Sequence, residues 1–314
     1  MNACDDRRRG TLELALVLLV FIPALVVTVI TYWRLPPGGT YNFWLTGAHG
    51  AVSRTIVELN YPVALAAIAV AFVWARRLSG RWPWVAAVAA LLCATLGVPG
   101  VVSQDNLAAS ARNLPAAAGA VVLGGIAVWL VVSAWPLRWA RPRSAADRWR
   151  IVIAVVMLIY AIPWIVALAG FYASDLPLLG RVVEAAQPTP GERNLPDVHR
   201  GLHEGLAGTQ LVLTALLLSR CLGLVRGAKL RTAASLYLSL MFAYGLLVAA
   251  GDGWNEQLVK RGAVSFMLPD VLQPSVGWGW LWVLLLTLGI HLAWFGRERI
   301  RSTPCAETTT AAAR

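Results

Sequence analysis

Arg7-Arg8-Arg9-Gly10 followed by Thr11 to Trp33, TLELALVLLVFIPALVVTVITYW, is the stretch that decides the fold. Three arginines precede an apolar run that carries one charge, Glu13. The run exceeds the roughly 7–15 residues of a signal-peptide apolar region. No small-residue cleavage site follows, since the next residues are Arg34-Leu35-Pro36-Pro37. It is therefore expected to stay on the chain as a first membrane span.

Seven further runs repeat the pattern. The spans are expected near 12–33, 58–78, 83–103, 115–136, 150–170, 203–223, 232–251 and 278–296. At 1.5 Å per residue, each covers about the 30 Å of a hydrocarbon core. Backbone groups must pair within hydrocarbon, and the runs are too long for barrel strands, so the spans are helices. Composition agrees. The chain is 58% hydrophobic and 14% charged, against about 25% charged in ordinary soluble domains. The fold class expected is all-α, polytopic, with one eight-helix domain over 12–300 between a tail at 1–11 and a disordered tail at 301–314.

Charge placement orients the spans. Of the 27 basic residues, 19 fall on the side holding both tails and the connections around Arg77, Arg141 and Lys229. The other side holds 8 basic against 10 acidic residues. Short basic loops stay cytoplasmic, so both termini are expected on the cytoplasmic side of a plasma (inner) membrane. The net charge of +11 thus reflects membrane topology, and nucleic acid is not an expected partner. Ten of the 15 tryptophans, including Trp33, Trp84, Trp135, Trp149 and Trp278, fall at or near span ends. There an indole anchors the helix at the interface, a plainer role than an aromatic substrate cage.

The connections 34–57, 104–114, 171–202 and 252–277 are expected on the extracytoplasmic side. Within them, 175–186 and 255–267 read as short amphipathic surface helices. Two Leu-Pro endings, in QDNLAASARNLP (104–115) and NEQLVKRGAVSFMLP (255–269), hint at a weak 4+4 parallel duplication. The cysteines, Cys4, Cys93, Cys221 and Cys305, form no metal or redox spacing and read as free thiols.

No Asp, Glu, Lys or Arg is expected near the centre of any span, which weakens a reading as an ion-coupled carrier. Polarity gathers instead at the outer mouth. In Asn194 to Gly205, NLPDVHRGLHEG, Asp197 can cap the sixth span. His199 and His203 stand one helical turn apart, a spacing that suits two imidazole ligands of a divalent metal. Glu204 is a third ligand or a base. The plainer reading is a polar helix start whose side chains bond neighbouring loops. Gly201, Gly205 and Gly208 share a face and let a second helix approach closely. Other outer segments supply His49 and Glu58, then Asp105, then Asp252, Asn255, Glu256, Lys260 and Arg261. The candidate catalytic groups are Glu204, Asp252 and Glu256. The candidate metal ligands are His199 and His203. Candidate ligand contacts are His49, Glu58, Asp105, Asp197, Asn255, Lys260 and Arg261.

Four histidines are too few for the histidine boxes of a membrane di-iron oxygenase. Gly251-Asp252 lacks the GxGD form of an intramembrane aspartyl protease. No GxSxG elbow or P-loop occurs. Three function classes fit. The leading one is a membrane protein that binds or acts on a lipid-like or small-molecule ligand at the extracytoplasmic face. The others are a permease with an outer vestibule, and a non-catalytic scaffold or assembly factor.

Overall fold

The structure is a computed structural model that describes residues 8–36, 43–74, 77–103, 108–171, 198, 200–260 and 262–297. Among these residues it is all-helical, with one isolated bridge between Arg9 and Arg138 and no strand. The helices are α1 (Thr11–Arg34), α2 (Gly47–Trp74), α3 (Trp82–Gly97), α4 (Ala111–Ser133), α5 (Ala145–Tyr160), α6 (Ile162–Leu168), α7 (Glu204–Ser219), α8 (Ala228–Val259) and α9 (Trp278–Phe295).

Five of them, α1, α2, α4, α8 and α9, are long and apolar enough to cross a membrane. The α5–α6 pair, bent by 51°, makes a sixth if counted as one span. Large aliphatic side chains stay on the surface of these rods: Leu19 is 64% exposed, Val132 71%, Ile159 62% and Leu292 60%. A water-facing surface rarely carries so continuous an apolar coat, and the pattern is consistent with a multi-pass membrane protein. Trp33, Trp84, Trp135, Trp149 and Trp278 are exposed at or beside helix ends, as interface anchors would be.

The remaining two apolar helices, α3 and α7, are shorter. They stand where the third and sixth spans were expected. α7 has an evident reason to differ. Fourteen of its 16 residues are buried, Thr209, Gln210 and Thr214 among them. A helix enclosed by other helices needs no lipid-facing side, so it tolerates polar residues whose hydroxyls bond back onto the preceding turn, as Thr209 does to Gly205 O and Thr214 to Gln210 O. α7 packs chiefly on α8, with α1, α5 and α2 around it. The expected role of its small residues holds at the crossing with α8. A Cβ on Gly208 would sit 2.5 Å from Gly245 O, and one on Gly245 would sit 2.7 Å from Gly208 O.

Two boundaries move, and both matter for the site. α2 begins at Gly47, eleven residues before its expected start, and runs continuously through a π turn over Leu59–Val63. Pro62 lies inside that turn; a proline lacks the N–H for an ordinary helical bond, and a π turn accommodates the gap. α8 likewise continues through a π turn, Asn255–Val259. The separate surface helix expected over 255–267 is thus the end of α8 followed by non-helical chain. The one expected over 175–186 lies outside the described residues.

Candidate functional site

The starts of α2, α4 and α7 and the ends of α1, α6 and α8 meet at one end of the bundle. Thr31 Oγ1 donates to Leu168 O at 2.5 Å, and Tyr32 Oη accepts from Leu202 N at 3.1 Å. Here α7 begins. His203 occupies its N-cap position with extended backbone. The cap itself comes from another helix: Gly205 N donates to Asp252 Oδ2 of α8 at 2.7 Å. His203 Nδ1 lies 4.0 Å from the same oxygen. The carboxylate therefore performs the capping expected of Asp197, which falls outside the described residues.

A small cavity of about 80 Å3 opens beside this cap. Its polar lining is Arg54, Asn60, Tyr61, Ser103, His203 and Glu204. Each is held by the fold. Arg54, 6% exposed, stacks over Tyr32 at 5.2 Å and Phe43 at 5.6 Å. Asn60 Nδ2 donates to Val101 O at 3.4 Å, while its carbonyl oxygen is buried without a hydrogen-bond partner. Tyr61 lies edge-on to Tyr244, whose hydroxyl donates to Leu272 O at 2.9 Å. Glu204 stands in the first turn of α7, where the helix dipole favours negative charge. The cavity thus offers a guanidinium, an imidazole, an amide, two hydroxyls and a carboxylate within a few side chains of one another.

Glu58 is the largest correction to the sequence reading. It was placed at the mouth of the second span, and the spans were expected to hold no central charge. The early start of α2 puts it twelve residues into a 28-residue helix, about 17 Å from the helix start at 1.5 Å per residue. Its side chain is wholly buried. Thr28 Oγ1 of α1 donates to Glu58 Oε2 at 2.8 Å, and Gln210 of α7 adjoins the carboxyl. Gln210 Nε2 also donates to Val20 O at 3.4 Å.

The other candidates scatter. His49 is exposed on the first turn of α2. Glu256 pairs with Lys260 at 3.1 Å, and Asn255 Oδ1 accepts from Leu268 N at 3.3 Å, so these three secure the end of α8 and the chain beyond it. None of them lines the cavity. Asp105, His199 and Arg261 lie outside the described residues. The one-turn spacing that paired His199 with His203 assumed a helix across both; α7 begins only at Glu204, with Gly201 in the left-handed region at φ 119°. Among the described residues no group of three or more His, Cys, Asp or Glu could hold a metal ion. His291, read as a packing histidine, bonds Ser235 Oγ through Nδ1 at 3.0 Å.

Sequence reading missed Thr28 and Tyr244 as site residues; it offers Gln210 only as an amide that a carrier could use, and Asn60 and Tyr61 only as the chain entering the second span. Arg54 and Glu58 carried a usable signal, the i,i+4 spacing of opposite charges that marks a helix. It also missed a second polar cluster at the opposite end of the bundle. Arg220 bonds Glu13 Oε1 through Nε at 2.9 Å and pairs through Nη1 with Asp147. Asp147 also takes Arg141 at 3.1 Å and Arg150 at 3.0 Å. Arg150 donates to Ser219 Oγ and lies over Trp294 at 5.1 Å. Glu13, wholly buried, accepts Ala140 N as well. This cluster ties α1, α5, α7 and the 134–144 connection together. Its local signal is Ser144-Ala-Ala-Asp147, a capping box at the start of α5.

Compared with protein-family models, curated proteins and solved structures, the chain matches none of them.

Proposed function

We propose that this chain is an integral membrane protein of eight spans, with both termini cytoplasmic in the plasma membrane, that binds or acts on a ligand at its extracytoplasmic face. The observation that carries this reading is the cavity beside the α7 cap. It gathers Arg54, Asn60, Tyr61, Ser103, His203 and Glu204 around the start of α7, reaching along α2 to the level of Glu58, on the side that carries the fewer basic residues, 8 of 27. Its mix of cationic donors and acceptors suits a small polar molecule or the head of an amphiphile, with Arg54 and His203 facing negative charge and Glu204 positive charge. Asp252 and His203 then act as the frame that fixes the start of α7, with Glu204 as the group available for proton transfer. Eight spans include α3 and α7, each about 24 Å long at 1.5 Å per residue; α7, enclosed by protein, does not have to match the bilayer.

The test is aqueous access. Ser103→Cys, in a background with the native cysteines replaced, is expected to react with a membrane-impermeant thiosulfonate added outside intact cells. Adding Ala207→Phe, which fills the cavity, is expected to slow the reaction at least tenfold. A Ser103→Cys that reacts only after permeabilisation overturns the reading.

One observation favours transport as the second reading. Glu58, Thr28 and Gln210 form a buried polar site deep within the helices, where ionisable groups mark ion and proton pathways. Proteoliposomes that pass protons or monovalent cations with wild type and not with Glu58→Gln would make the permease reading the leading one.

A further inference from the structure

A much larger cavity lies elsewhere, between α1, α5–α6 and α7, with a volume of about 650 Å3. That falls within the roughly 300–1,000 Å3 of ligand-sized cavities. Its walls are almost wholly aliphatic, with Val20, Ala154, Leu213 and Leu217 among them. Leu19, Ile151 and Leu158 line it and are also exposed on the outer surface, so it opens sideways between α1 and α5. From Leu206 to Arg220 along α7 it runs about 21 Å, somewhat more than the ~15 Å of one bilayer leaflet. A soluble metabolite has no use for such a slot; an extended acyl chain fits it.

One end is different in kind. Trp139, Arg143, Asp147, Arg150 and Arg220 close it. With Arg141 and Glu13 beside them, four guanidiniums face two carboxylates, a net charge of +2. Arg150 and Arg220 are occupied in holding the buried acids, and Arg143 is exposed at the rim. Trp139, with Arg220 stacked on it at 5.0 Å, supplies an indole at the level where head groups lie.

We propose that this slot binds one anionic phospholipid, with its phosphate at Arg143 and the surplus charge of the arginine cluster, and one acyl chain between α1 and α5. The positive end is the one assigned to the cytoplasmic leaflet, so the lipid comes from that leaflet. The inference rests on the membrane reading and not on the opposite cavity. Lipid there would fill the space between α5 and the α1–α7 core.

Native mass spectrometry of detergent-purified protein, titrated with palmitoyl-oleoyl phosphatidylglycerol or phosphatidylcholine, tests it. Wild type is expected to retain one phosphatidylglycerol with at least tenfold preference. Arg143→Gln is expected to abolish that preference and leave phosphatidylcholine binding unchanged. Ala154→Trp, which blocks the chain slot, is expected to weaken both lipids; Leu158→Trp does the same from the lipid-facing wall should Ala154→Trp fail to fold. His203→Ala, in the other cavity, is expected to retain the lipid. Equal binding of the two lipids by wild type, preference surviving in Arg143→Gln, or chain-slot variants that bind normally would overturn the proposal. So would displacement by glycerol phosphate alone, which would make the site one for a free anion.

Discussion

Replacing Arg220 by Met removes the hub of the buried ion cluster with little change in side-chain length. Arg220 is 8% exposed and makes four contacts: to Glu13, to Asp147, through Nη2 to Arg141 O at 2.9 Å, and over the Trp139 ring at 5.0 Å. Its acids are left in unequal positions. Asp147 keeps Arg141, Arg150 and the Ser144 N–H at 2.8 Å. Among the described residues Glu13 keeps only the Ala140 N–H, at 3.0 and 3.1 Å, and it has no exposure to water. Breaking a buried pair by deleting one partner costs about 3–5 kcal/mol, because the remaining charge is buried uncompensated. With Asp147 still served, Arg220→Met is expected near the lower end, about 3 kcal/mol. Glu13→Gln removes the stranded charge and keeps an acceptor for Ala140. The double variant Glu13→Gln/Arg220→Met is therefore expected to recover about 2 kcal/mol, within the ~0.5–3 kcal/mol typical of coupled neighbours. Equilibrium unfolding by sodium dodecyl sulfate in mixed micelles, on all four proteins, measures the cycle. A loss below ~1 kcal/mol for Arg220→Met, or no coupling to Glu13→Gln, would refute the reasoning.

Five further substitutions, at four positions, probe the packing and the site frame. Gly208→Ala drives a methyl against Gly245 O and is expected to cost about 1–3 kcal/mol in the same unfolding assay; Gly251→Ala on α8 meets nothing within 4 Å and is expected to be neutral or to stabilise by up to ~1 kcal/mol. Asp252→Ala deletes the α7 cap and is expected to cost roughly 0.5–2 kcal/mol, whereas Asp252→Asn, which still presents an oxygen to Gly205 N, is expected to lose much less. Glu58→Gln keeps an acceptor for Thr28 and is expected to unfold within ~1 kcal/mol of wild type, so a flux defect in this variant would be functional rather than a folding failure.

The architecture is legible in the chain because apolar length is a local property. Five of the expected runs coincide with helices long enough to span and a sixth with the bent pair, while the third and sixth runs in chain order coincide with shorter helices; the indoles at the ends are readable for the same reason. The small residues Gly205 and Gly208 also signalled a close approach, and both are tightly enclosed: Gly208 by α8 and Gly205 by the Trp164 ring. What local pattern conceals is which polar residues become buried. His49, Ser53, Arg54 and Glu58 make 47–58 look like a loop. It folds as helix because Arg54 has Tyr32 and Phe43 to lie against and Glu58 has Thr28, all contributed by the chain before it. Glu13 and Arg220 stand 207 residues apart, and counted singly they register only as charges that orient the spans. The cap at α7 shows the same limit. Asp197 is the neighbour in sequence, yet the carboxylate on Gly205 N comes from α8, 47 residues away.

The central claim, that the His203 cavity faces outward and the arginine cluster faces the cytoplasm, is tested most directly by labelling two single cysteines in intact cells. His49→Cys and Arg148→Cys are both at exposed positions and lie toward opposite ends of the bundle. In a background with the native cysteines replaced, a membrane-impermeant maleimide is predicted to label His49→Cys directly and Arg148→Cys only after permeabilisation. Labelling of both from the same side, or the reverse order, would contradict the account.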